Sequence, residues 1–61
     1  YTPTDSEIAA TDARILAEEN GATPADAAAL ADKAAKTYDG TKNPQAVAYE
    51  VFNENKGSTA K

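Results

Sequence analysis

Three carboxylates recur at intervals of seven residues near the start of the chain, at Asp5, Asp12 and Glu19. At about 100° per residue they share one helix face, and Ile8 and Ile15 lie on the same arc. Two carboxylates can serve as general acid and base only where a pocket separates their pKa values. A chain of 61 residues has little volume for such a pocket, so we do not expect these carboxylates to be catalytic.

These three carboxylates, the acidic row, have two other interpretations. In the first, they line the edge of the core beside buried isoleucines and face lysines further along the chain. The lysines available for this are Lys33, Lys36 and Lys42. In the second, they form an acidic and apolar docking surface for a basic partner protein.

A second candidate site lies on the third predicted helix. Gln45, Tyr49, Asn53 and Lys56 occupy the side opposite its apolar residues, and we call them the outward row. An exposed tyrosine gives a large contact area at low entropic cost, and tyrosine is enriched among the dominant residues of interfaces. We therefore expect the outward row to bind another protein, with the acidic row as the second surface.

Nucleic-acid recognition is the alternative class. The second and third helices could form a helix-turn-helix, because glutamine and asparagine in the outward row suit base reading. Against this, Glu50 and Glu54 lie close to that row, and the net charge of −4 disfavours a grip on phosphates. A second alternative is an acidic nucleic-acid mimic that inhibits a basic protein, although six basic residues dilute its ten acidic ones.

The composition indicates neither an enzyme nor a cofactor-binding protein. The chain has no Cys and no His, so we expect no metal site and no imidazole-activated nucleophile. We do not expect an EF-hand calcium loop around Gly40. Such a loop would place Ala35 and Ala46 at the first and last ligand positions, where side-chain oxygen donors are needed. We expect no cofactor, no small-molecule substrate, no nucleic acid and no membrane as partners.

Proline and glycine divide the chain into three helices. Each of the three prolines follows a capping residue, and each of the three glycines follows a helix-compatible run. The predicted helices cover residues 3 or 5 to 20, 24 to 38, and 44 to 55, with Gly57 closing the third. The first helix has two overlapping start signals, Thr2 before Pro3 and a capping box of Thr4 with Glu7, while Thr23 and Asn43 cap the other two helices. The short links favour antiparallel neighbours.

The fold class that follows is all-α, a small three-helix bundle with short interhelical loops. We expect one domain over residues 1–56 and a flexible C-terminal tail over 57–61. Fifteen residues are alanine, so the core should be thin and its stability marginal. The predicted core consists of Ile8, Ile15, Leu16, Ala27, Leu30, Ala31, Ala34, Tyr38, Val47, Val51 and Phe52.

The function predicted from the sequence is therefore a non-enzymatic protein-interaction module, an accessory subunit of an assembly or a small regulator. A thin core gains from burial against another protein or a second copy, which is why both are expected as partners. We expect a cytoplasmic location, because no secretory signal is recognisable. The first residue, Tyr1, is typical of a matured or trimmed chain.

Overall fold

The protein is a bundle of three α-helices, as the sequence predicts. The computed structural model describes residues 2–59, with side chains described through residue 55. The helices are α1 (Asp5–Glu19), α2 (Pro24–Thr37) and α3 (Pro44–Thr59), and every pair of them is in contact. Within residues 2–59, none of the helices has both the length and the apolar character needed to span a membrane.

Side chains cap the three helix starts at the positions that the sequence indicates. The Thr4 backbone N–H donates to the Glu7 carboxylate at 2.9 Å, while the Glu7 N–H donates to the Thr4 hydroxyl at 3.3 Å. This reciprocal pair is the predicted capping box. Thr23 accepts from the Asp26 N–H at 3.2 Å, and the Asn43 side chain accepts from the second residue of α3 at 2.8 Å.

The end of α1 depends on glycine. Gly21 has a φ of +91°, a left-handed conformation that other residues adopt only with strain. Its N–H donates to the Glu18 carbonyl at 3.1 Å, and the Ala22 N–H donates to the Ala17 carbonyl at 3.0 Å. These two bonds form a Schellman motif, in which the otherwise unpaired carbonyls of the last turn find donors.

The predicted end of α3 is wrong. The helix does not stop before Gly57 but continues through it to Thr59. Glycine in a helix interior costs about 1 kcal/mol relative to alanine, yet it keeps its N–H and does not block the hydrogen-bond ladder. Residues 60–61 of the predicted flexible tail lie outside the described residues, so that part of the prediction stands as a prediction.

The helices alternate in direction. Tyr38, just after α2, reaches Asp5 at the start of α1, so α1 and α2 are antiparallel. Residues from the end of α1, the start of α2 and the end of α3 line one common cleft. The end of α3 therefore lies beside the start of α2 and the end of α1, which makes α2 antiparallel to both other helices, in agreement with the short links.

The link between α2 and α3 is held by its own side chains. Asp39 accepts from the Thr41 hydroxyl at 2.6 Å and from the Thr41 N–H at 2.9 Å. Both hydrogen bonds lower the pKa of Asp39 below its usual value, and the bond from the Thr41 hydroxyl has the larger effect. Gly40, between them, has a φ of +88°. The link therefore leads directly to Asn43, whose side chain caps α3 and sets the residue at which this helix begins.

Small side chains dominate the core. Buried residues of α2 and α3 include Leu30, Val47 and Val51, as predicted. Leu16, Tyr38 and Phe52 pack against this core while remaining partly exposed. The other buried residues are all alanine: Ala9, Ala13, Ala17, Ala27, Ala34 and Ala48.

The predicted orientation of α1 is wrong. The helix buries Ala9, Ala13 and Ala17, which we call the alanine face, and leaves Ile15 42% exposed. Ile8 is only partly buried. The alanine face lets two neighbouring helices approach α1 closely, whereas burying the isoleucine arc would also desolvate the acidic row, at several kcal/mol per carboxylate.

Candidate protein-binding groove

A shallow groove between α1 and α3 brings together residues from both predicted surfaces. It encloses about 230 Å³ and is lined by Asp12, Ile15, Leu16, Gln45 and Tyr49. The α1 residues span one helical turn, and Gln45 and Tyr49 lie four residues apart on one side of α3. We refer to this feature as the α1–α3 groove.

The groove exposes two large apolar side chains. Tyr49 is 56% exposed and Ile15 is 42% exposed. Among the residues whose side chains are described, these two are the exposed large hydrophobic ones. Tyr49 occupies the exposed side of α3 because Val47, Ala48 and Val51 turn the opposite side into the core. Ile15 is exposed because the alanine face of α1 is buried instead.

Asp12 gives the groove its charge. The residue is half-buried, and its Oδ2 atom is buried without a hydrogen-bond donor among the described residues. A buried acceptor that lacks a donor carries a desolvation cost, which makes it an unusual feature in a folded protein. Asp12 is thus the one member of the acidic row that lines this groove.

The rest of the acidic row lies elsewhere. Asp5 accepts a hydrogen bond from the Tyr38 hydroxyl at 3.0 Å, which ties the end of α2 to the start of α1. Glu19, in the last turn of α1, is exposed. The three carboxylates therefore have different surroundings, and their expected role as a docking surface stays a prediction.

The Tyr38–Asp5 bond should make stability depend on pH in the alkaline range. Hydrogen bonding to the Asp5 carboxylate, followed by partial desolvation, raises the pKa of Tyr38 above its ordinary value of 10.0. A raised folded-state pKa gives stability that is complete below pH 10 and is lost as the pH rises through the folded-state pKa. Urea denaturation gives the free energy of unfolding of native protein and of Tyr38→Phe at each pH. The difference between these two free energies should shrink as the pH rises from neutral to above pH 10.

A difference between native protein and Tyr38→Phe that stays constant across this range would contradict the assigned bond. Lys36 and Lys42 also titrate there, since hydrogen bonds to Asp32 and Glu50 respectively raise their pKa values. Both proteins share these lysines, so their contributions cancel in the comparison.

Lysines do not pair with the acidic row as the first interpretation expects. Lys36 Nζ lies 2.9 Å from Asp32 Oδ2, one turn earlier on α2. Lys42 Nζ lies 2.7 Å from Glu50 Oε2, which joins the α2–α3 link to α3. Lys33 lines a separate cleft. Arg14 pairs with Glu18 at 3.4 Å, so none of the four cations with described side chains forms an ion pair with Asp12.

The outward row is only partly in the groove. Gln45, Tyr49 and Asn53 are exposed, as the helical spacing predicts. Gln45 and Tyr49 line the groove, whereas Asn53 does not. Lys56 belongs to α3, but its side chain lies outside the described residues. The structure thus joins two members of the outward row to one member of the acidic row.

Sequence reasoning missed a larger cleft at the other end of the bundle. It encloses about 580 Å³ between the end of α1, the start of α2 and the end of α3. The residues that line it include Ala17, Leu30, Phe52 and Lys33. Asn55, which also lines it, is the last residue whose side chain is described, so its wall along α3 is defined only in part. The many small residues near Gly21 are the signal that could have indicated this space.

Comparison with known proteins gives no relative. No family model matches the chain, and no curated protein or solved structure matches it either.

Proposed function

We propose that this chain is a non-enzymatic protein-interaction module, an accessory subunit or small regulator, that binds another protein through the α1–α3 groove. The observation that carries the proposal is the position of Ile15 and Tyr49, two exposed large apolar side chains that line one groove. Apolar side chains held rigidly at a surface and bordered by polar groups are typical of interaction sites.

The rest of the groove has the composition of an interface. Tyrosine combines apolar area with a hydroxyl that can hydrogen-bond, so it binds partners with little loss of rotamer freedom. Gln45 supplies an amide that can both donate and accept, and Asp12 supplies a charge that selects among partners. Both polar residues line the same groove as the apolar pair, and protein interfaces typically combine an apolar centre with polar residues at the rim.

Duplex DNA is a poorer fit to the same surface. Gln45 and Tyr49 would have to approach phosphates with the Asp12 carboxylate beside them, and this repulsion opposes binding. Lys42, the cation nearest the start of α3, is already neutralised by Glu50. A mobility shift with duplex DNA at low salt, lost on adding salt, would instead support the helix-turn-helix alternative.

Replacing Tyr49 by alanine should weaken partner binding strongly without unfolding the protein. Loss of a dominant interface tyrosine costs at least about 2 kcal/mol, or roughly 30-fold in Kd. The measurement is quantitative capture of interacting proteins from an extract of the source cells by immobilised native and variant protein. Glu54→Ala, another exposed change on α3, is the matched control and should capture as native does.

Thermal melting followed by circular dichroism should show similar transitions for native protein, Tyr49→Ala and Glu54→Ala, because both side chains are exposed. Capture that is unchanged by Tyr49→Ala would contradict the proposal that this groove is the binding surface.

A further inference from the structure

The chemistry of a partner is indicated by Asp12. Its Oδ2 atom is buried without a donor among the described residues, although the residue as a whole is half-buried and borders the α1–α3 groove. As a residue lining the groove, Asp12 places a carboxylate beside the exposed apolar pair. Charge complementarity across an interface selects a partner of opposite sign, so a positively charged group that enters the groove would find its counter-charge in Asp12.

None of the four cations with described side chains forms an ion pair with Asp12. Arg14, Lys36 and Lys42 are held by carboxylates on their own or neighbouring segments. Lys33 lines the larger cleft and not this groove. Since none of these four cations complements Asp12, the complementary positive charge is assigned to a partner protein.

A second copy of this chain does not supply that charge well. The protein carries a net charge of −4, so two copies repel one another. In a symmetric dimer the same groove would face itself, which would bring two Asp12 carboxylates toward each other. Like charges that approach as water is excluded are costly, so charge complementarity favours a different, basic partner over self-association.

We infer that the α1–α3 groove receives a segment of another protein in which an arginine lies next to an apolar side chain. The inference rests on the proposed function and specifies its partner. The apolar side chain contacts Ile15 and Leu16, while the guanidinium stacks on the exposed ring of Tyr49 and donates to Asp12. Arginine suits this site better than lysine, because its planar group stacks on aromatic rings and binds carboxylates through two parallel N–H donors.

Selection from a random peptide library displayed on phage tests this inference. Peptides that bind immobilised native protein are sorted by whether they still bind Tyr49→Ala. We expect the Tyr49-dependent peptides to carry an arginine beside an apolar residue. Tyr49-dependent peptides without a basic residue would overturn the inference and leave the proposed function standing, whereas a pool without Tyr49-dependent peptides would overturn both.

Substitution within a selected peptide then isolates the charge. Citrulline in place of the arginine keeps the shape and removes the positive charge, so the affinity measured by fluorescence polarisation should fall at least about tenfold. Asp12→Asn should weaken the arginine peptide by a similar factor, and Asp26→Asn, an exposed carboxylate outside this groove, should change it less than about twofold. Equal binding of the arginine and citrulline peptides would overturn the inference without requiring any variant to fold.

Discussion

Replacing Leu30 by alanine should remove a large part of the protein's free energy of unfolding. Leu30 is 4% exposed and is the only large aliphatic residue of α2. Truncating a buried leucine typically costs about 2–5 kcal/mol. A domain of this size has a total free energy of unfolding of about 5 kcal/mol. The surrounding alanines carry only methyl groups, so they can fill little of the cavity that the truncation leaves.

Urea denaturation followed by circular dichroism measures this effect, and Ile15→Ala provides the matched control. Both changes truncate a four-carbon aliphatic side chain to a methyl group, but Ile15 is 42% exposed, so its truncation should cost less than about 1 kcal/mol. An unchanged midpoint for Leu30→Ala would show that α2 does not build the core. Equal losses for both variants would show that Ile15 is buried after all.

The helix starts could be predicted because their chemistry is local. Thr4 with Glu7, Thr23 before Pro24 and Asn43 before Pro44 each satisfy backbone donors within the same turn. The continuation of α3 through Gly57 could not be predicted in the same way. A glycine ends a helix only where the following chain turns away and supplies donors, as it does after Gly21.

The candidate groove was predicted in parts and not as a unit. Helical spacing alone places Gln45 and Tyr49 on the exposed side of α3, because the buried valines fix the opposite side. The spacing does not predict that they line one groove with Asp12, because this depends on how α1 is rotated about its own axis relative to α3. Hydrophobicity alone predicts the wrong rotation because it favours burying isoleucine, whereas close packing and the cost of burying carboxylates favour alanine.

Replacing Ala13 by leucine is the most direct test of that rotation. Ala13 is fully buried at the centre of the alanine face, and α1 contacts both other helices. Extra methylenes in a tight interface typically cost about 1–3 kcal/mol, and more is expected here, because two helices must move apart. Ala28→Leu, at an exposed position of α2, is the control and should change the urea midpoint little, since leucine and alanine have similar helix propensities.

The two orientations of α1 predict opposite results for the same pair of variants. If the isoleucine arc faced the core, Ala13 would lie on the solvent side, so Ala13→Leu would be nearly neutral and Ile15→Ala would be severe. With the alanine face buried, Ala13→Leu is severe and Ile15→Ala is mild. The order of their urea midpoints therefore decides whether Ile15 is available at the surface, on which the α1–α3 groove and its proposed basic partner both depend.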